Sequence, residues 1–306
     1  MPLPLSYPGL RCVLEHLEAV KRAHIIARSP GYRRVDKLIT LYPESLNIGR
    51  GYQLAINKLL ITCDKDEVKF YMNMKTFSRQ KAETQGEKMG KLINFYIRGR
   101  SKIRVHKLNW VHSSLPDFLP ADLKFRVNSL EARFREDFEA AIPLIDPCSF
   151  PLKTVVTIPN LLNFDIQIVQ LAETLILDFV IDEIVTVEDL KKLNNRKVVF
   201  ECFNSKIDLV SLIKYQVNTR KVVETTFVIS TGAKSFINDM LRQFELAFGE
   251  YRSDLDGINE RFIPALSKFS ISINNESRIQ VYAIKDPDED FPYKLIVKPV
   301  PEISGL

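Results

Sequence analysis

Four histidines, His16, His24, His106 and His112, are the side chains best suited to acid–base or metal chemistry in this sequence. Their spacing supports neither. No two are four residues apart, and none has a cysteine partner at zinc-site spacing. Asp286-Pro287-Asp288-Glu289-Asp290 sets carboxylates at alternate positions, as a calcium loop does. Phe291 stands where that loop needs glycine, and Val297 where it needs glutamate, so an acidic hairpin turn is the reading. Gly-x-Gly-x-x-Gly, Gly-x4-Gly-Lys-Ser/Thr and Gly-x-Ser-x-Gly are absent, and eleven glycines leave little room for a phosphate cradle. The sequence predicts no catalytic residue, no metal site, no cofactor and no enzymatic activity.

The most basic stretch, Arg98 to Lys107, has Phe95, Tyr96 and Trp110 nearby, the mixture that contacts phosphates and stacks on bases. Ile103 and Val105 alternate there with Lys102 and Arg104, which is the pattern of a half-buried strand with a solvated face. Weak nucleic-acid binding through residues 98–107 stays an alternative. The formal charge of +5 over 306 residues does not call for a polyanion partner. Cys12, Cys63, Cys148 and Cys202 form no C-x-x-C pair. Cys12 on an apolar helix and Cys202 at an inward strand position read as buried free thiols in a reducing compartment. No apolar run approaches the ~20 residues of a membrane span, and the opening lacks the pattern of a secretory signal. A cytoplasmic or nuclear protein with no membrane partner is expected.

The elements that would position any site are clearer. One apolar phrase recurs five times, as Leu123–Val127, Leu152–Val156, Leu175–Phe179, Val198–Cys202 and Thr225–Ile229, with starts 29, 23, 23 and 27 residues apart. Its first, third and fifth residues share one face of a strand. Segments of helical period lie between the phrases. This predicts an α/β fold in which βα units with parallel strands stack as a leucine-rich-repeat-like solenoid. The outward positions Lys124, Arg126, Lys153, Val155, Ile176, Asp178, Val199, Glu201, Val228 and Ser230 would line one sheet face. Val155, Ile176, Val199 and Val228 form an apolar row on it, either open to a partner or covered by a helix or by residues 76–91.

Four regions are expected. Residues 1–40 form a helical cap, with Leu10, Val13, Leu14 and Leu17 on one helix face. Residues 41–121 form a β-rich bridge with strands at Leu59–Cys63, Val68–Met72 and Leu92–Ile97, and a polar loop at 76–91. Residues 122–250 hold the βα repeats, ending in an amphipathic helix over Ala233–Phe248. Residues 251–306 form an antiparallel β cap that closes the open sheet end.

The segments Pro4–Leu17, Leu144–Lys153, Ala172–Ile176 and Ile279–Ala283 resemble a nematode-expanded family described as a domain of unknown function. The chain also resembles nematode F-box proteins with an associated C-terminal repeat domain, through Leu3-Pro4, Val13 and Leu17, then Ser29–Val35; Tyr32 stands where the F-box pattern has tryptophan. That resemblance implies a substrate-recognition subunit of a Skp–cullin ubiquitin ligase. Leu3, Pro4, Leu10, Val13, Leu14 and Leu17 would contact a Skp-type adaptor, and the sheet face would hold an unknown target protein. A solenoid interaction module without a ligase link is the alternative.

Overall fold

The computed structural model describes residues 7–100, 102–179, 184–201, 206–220, 224–255 and 261–302. It is a mixed α/β fold in two units, Met1–Leu152 and Lys153–Leu306. In the first, helices α1 (Tyr7–His16), α2 (Ala19–Arg28) and α3 (Arg33–Leu38) precede five strands. These are β1 (Ser45–Gly49), β2 (Gln53–Ile56), β3 (Leu59–Cys63), β4 (Glu67–Met72) and β5 (Lys75–Gln80). Helix α4 (Gln85–Tyr96), β6 (Arg104–Trp110), β7 (Arg126–Glu131) and α5 (Arg135–Ala141) follow. Strands β1 to β5 form an antiparallel meander, while β6 runs parallel to both β1 and β7. The order in this unit is β7-β6-β1-β2-β3-β4-β5, which leaves β5 at an edge. Asn57 (φ 54°) makes the β2–β3 turn, and Asn73 (φ 51°) with Met74 (φ 63°) the β4–β5 turn. Two-residue hairpins need such left-handed backbone, and asparagine tolerates it.

A buried charge cluster fixes the helices. The Arg22 guanidinium on α2 donates from Nε to Asp36 Oδ1 at 2.5 Å, and from Nη2 to the carbonyls of Asp36 and Ile39 at 2.8 and 2.9 Å. It thereby satisfies carbonyls at the end of α3 that the helix itself leaves unpaired. Arg100 Nη1 reaches the same Asp36 oxygen at 2.7 Å. All three side chains are nearly inaccessible. Leu14, Ile26 and Ile39, with Leu10 and Val35, pack beside them.

In the second unit the order is β8 (Thr154–Thr157), α6 (Leu161–Phe164), α7 (Gln167–Leu171), β9 (Thr174–Asp178), β10 (Ile184–Val185), α8 (Val187–Lys191), β11 (Lys197–Glu201), β12 (Lys206–Ile207), α9 (Leu209–Thr219), β13 (Thr226–Thr231) and α10 (Lys234–Phe248). Strands β14 (Phe269–Asn274), β15 (Ser277–Lys285) and β16 (Tyr293–Pro301) close it. Strands β8, β9, β11 and β13 are parallel neighbours, and β16, β15 and β14 add to β13 antiparallel. The short β10 and β12 also pair in parallel, each a few residues after its repeat's main strand. Leu175, Leu177, Val198, Phe200, Phe227 and Ile229 are buried in register, with Phe200 stacked on Phe227 at 6.2 Å. Ile237, Met240, Leu241, Phe244 and Phe248 of α10 are buried as its stripe predicts. Buried Asn195 donates to the carbonyls of Val169 and Ala172 at 2.8 and 2.7 Å, and its own carbonyl accepts from Thr225 Oγ1 at 2.8 Å.

Three expectations need correction. Residues 85–96, expected as polar loop and then strand, are helix α4, and residues 75–80 are strand β5. Thr84 and Glu87 form a reciprocal cap at the start of α4, and Lys88 turns inward to donate to the carbonyls of Asp64 and Lys65 at 3.0 and 2.8 Å. The inward lysine is what hides the helical stripe. Val155 is fully buried, because it pairs with inward Leu175; Val156 takes the outward place beside Ile176. Strand β8 starts at Thr154, after Pro151, so its alternation is set one residue later than Leu152 suggested. Cys12 is exposed, not buried; Cys202 lies outside the described residues.

Asp36→Ala would leave two arginines buried without their shared anion. It should cost about 3–5 kcal/mol, read as a lower urea midpoint by fluorescence of the single tryptophan, Trp110, which is fully buried.

Candidate functional site

A groove of about 1060 Å³ opens in the first unit between α2, α4 and strands β3 to β5. Its floor comes from the alternation of the strands. Leu59, Phe70 and Met72 lie on the face that β5 extends with Lys75, Phe77 and Arg79, because Phe70 pairs with Phe77 and Met72 with Lys75. Ile25 and Leu17 enter from the α2 side, and Leu92, Phe95 and Tyr96 from α4. Phe77 is 57% exposed, and Ile25, Phe95 and Met72 are each 40% or more exposed.

Both helical walls are held by polar contacts. Glu18 caps α2 by accepting from the Lys21 N–H at 3.0 Å, and it also accepts from the Asn57 side chain in the β2–β3 turn. Arg22 holds the middle of α2 to Asp36. Helix α4 is tied to the β3–β4 turn by Lys88 and by Gln85, whose Nε2 donates to the Cys63 carbonyl at 3.0 Å. The helices therefore sit over β3 and leave the surface of β4 and β5 uncovered.

The electrostatics of the groove are one-sided. Lys21, Arg28 and Arg79 line it and have no carboxylate within ion-pair distance among the described residues. The nearby acids are engaged: Glu83 pairs with Lys91 at 2.7 Å, and Glu87 accepts from Thr84. His24 lies 3.3 Å from the Tyr96 hydroxyl and against the Phe95 ring. Burial, and then the charges of Arg28 and Arg79, hold its pKa below the ordinary 6.5. Burial pushes the Tyr96 hydroxyl up to about 12. This is a surface for apolar groups that carry negative charge. Among the described residues no group of three or more His, Cys, Asp or Glu is placed to hold a metal.

The residues singled out from sequence fall elsewhere, apart from Leu17. Leu3 and Pro4 lie outside the described residues. Leu10 and Leu14 face the helical cluster, Val13 is 48% exposed, and half-buried Leu17 lines the groove. Lys124 and Arg126 are exposed in the first unit, with Lys124 Nζ donating to the Pro143 carbonyl. In the second unit Lys153 is exposed and Ile176, Asp178 and Glu201 are half-buried. Val155, Val199, Val228 and Ser230 are buried. Register sets Val156, Ile176, Val199, Val228 and Ile296 in one row opposite Leu175 and Val198, but Val199 and Val228 are covered there, so the row is not an open partner surface. Within residues 98–107, Arg100 is consumed by Asp36. The acidic turn between β15 and β16 is tied by Lys294 to Glu289 at 2.6 Å and Asp286 at 3.5 Å.

Two outcomes follow from these environments. His24 and His112 both have pKa values lowered by burial, so the unfolded chain takes up protons first as pH falls through 6.5. Stability should be intact above that pH and decline below it; urea midpoints at pH 7.5 and 5.5 should differ less in His24→Asn and His112→Asn than in the parent. Burial raises the Cys63 thiol to about 11. Iodoacetamide at mildly alkaline pH should therefore modify exposed Cys12 and Cys148, and reach Cys63 only in denaturant, as read by peptide mass mapping.

The described helices include none long and apolar enough to cross a membrane. No curated protein and no solved structure matches the chain. Residues 85–232, from the start of α4 to just past β13, match the family model described as a domain of unknown function, DUF3557.

Proposed function

We propose that this chain is a non-enzymatic protein-binding adaptor whose principal contact surface is the groove between α2, α4 and β3–β5. The carrying observation is the exposed apolar lining, Phe77 and Met72 of the floor with Ile25 and Phe95 of the helical walls, on elements tied together by polar anchors. Contiguous apolar surface of this kind, rimmed by charge, is characteristic of interaction sites. The second unit serves as a leucine-rich-repeat-like scaffold. The paired β10 and β12 at equivalent places in successive repeats, and the Asn195 contacts between repeats, support that reading.

A link to a Skp–cullin ubiquitin ligase is the narrower form of the proposal. It draws on the F-box resemblance and on α1, which leaves Val13 outward while Leu10 and Leu14 hold the helix to the unit. The plain interaction module needs no such link. A nucleic-acid surface at 98–107 is the weaker alternative, since Arg100 gives its charge to Asp36.

Replacing Phe77 by benzoylphenylalanine and irradiating the chain in native extract should yield an adduct with one recurring protein, in which a single segment is crosslinked. Excess parent chain should compete the adduct away and Met72→Asp chain should not; no protein adduct, or one with nucleic acid, would sink the proposal. For the ligase form, the chain should co-elute with a Skp-type adaptor and Val13→Asp should not, with Trp110 fluorescence unchanged.

A further inference from the structure

We propose that the groove takes an extended, acidic segment of a partner protein, which adds as a further strand along the free edge of β5. This rests on the reading of the groove as a protein-binding site and specifies the conformation and chemistry of the bound segment.

The first argument is the edge itself. Strand β5 ends the sheet of its unit, and no described strand pairs with its far side. All six of its residues are exposed. A strand of six residues offers about 20 Å of unpaired backbone, a template for another chain. The second argument is the position of the edge relative to the groove. Lys75, Phe77 and Arg79 point to the helix-covered face, and Thr76 and Ser78 to the opposite one. A strand laid beside β5 would place every second side chain over the groove, level with Phe77 and facing the α2 wall. Main-chain bonds would supply affinity, and the groove would select the alternate side chains, which is how strand addition works.

The third argument is charge, and it chooses the occupant. Lys75 and Arg79 on β5, with Lys21 and Arg28 on α2, have no carboxylate within ion-pair distance among the described residues. Lys69, beside the groove, is by contrast paired with Asp64 and Glu67, and Lys91 with Glu83, so the groove's own cations are the ones left for a partner's acids. A second copy pairing edge to edge would set Lys75 and Arg79 against the same charges, so self-association along β5 is disfavoured. A strand whose groove-facing residues are acidic and apolar in turn, with neutral polar residues between them, meets both the cations and the apolar side chains of Phe77 and Phe95.

The test uses the full chain and a fluorescein-labelled peptide of repeating Glu-Thr-Val-Thr, whose one face carries glutamate and valine in turn. Binding by anisotropy, with slowed amide exchange confined to residues 75–80 and the groove helices, is the expected result. Arg79→Glu, or N-methylation of the peptide amides on one alternate set, should weaken it by about tenfold or more. The counterpart with lysine in place of each glutamate should not bind. Four results would overturn the inference: no binding at millimolar peptide, equal binding of the lysine peptide, indifference to N-methylation of either set, or unaltered exchange in β5. Binding of oleate or anionic vesicles in place of the peptide would overturn it too. A protein adduct at position 77 without β5 protection removes the strand and leaves the groove reading standing; absence of any protein adduct removes the groove reading itself.

Discussion

The Arg22–Asp36–Arg100 cluster is the interaction on which the first unit depends. It joins α2, the end of α3 and the segment before β6, which are far apart in sequence. Two guanidinium groups share one carboxylate oxygen, and Arg22 spends its remaining donors on the carbonyls of Asp36, Ile39 and Thr40. Desolvation of three charges is costly, and it is offset only because nearly every donor finds an acceptor. What results is orientation. An apolar contact would let α2 slide along its axis, whereas a guanidinium fork fixes both rotation and height. The groove wall inherits that definition, as does α1 through Leu14 and Ile26.

The second unit reaches order by another route. Its parallel strands bury aromatic and aliphatic residues in line, so each strand is stabilised by the next. Asn195 supplies a directional element, since its side-chain amide donates to the carbonyls of Val169 and Ala172 at the end of α7. Thr225 Oγ1 then donates to the Asn195 main-chain carbonyl, so the polar links run from the end of α7 to the entrance of β13.

Much of the strand pattern was legible, because alternation at Leu123–Val127 and Leu175–Phe179 reports burial directly; at Val198–Phe200 it does not, since Val199 is buried as well. The phase of Val155 was not, since the chain enters β8 one residue after the apolar run begins. Helix α4 carried a legible signal in Thr84-Gln85-Gly86-Glu87, a capping box, but Lys88, the helix's fourth residue and inward-facing, masked the apolar stripe. The groove was the hardest feature to read. Its parts come from α2, α4 and three strands, and Phe77 and Arg79 sit in a strand with no buried face and hence no alternation to detect. Buried charge is likewise silent in sequence: Arg22, Asp36 and Arg100 look like any solvated residues until tertiary structure brings them together.

Strand β13 has a parallel neighbour on one side and an antiparallel one on the other. A repeat appended after it would meet β16 running the wrong way, and would find the place already filled. Parallel strands could therefore be gained or lost only inside the series from β8 to β13, where neighbours run in the same direction. In evolutionary terms, length variation should be an internal event there, with the closing meander carried along unchanged.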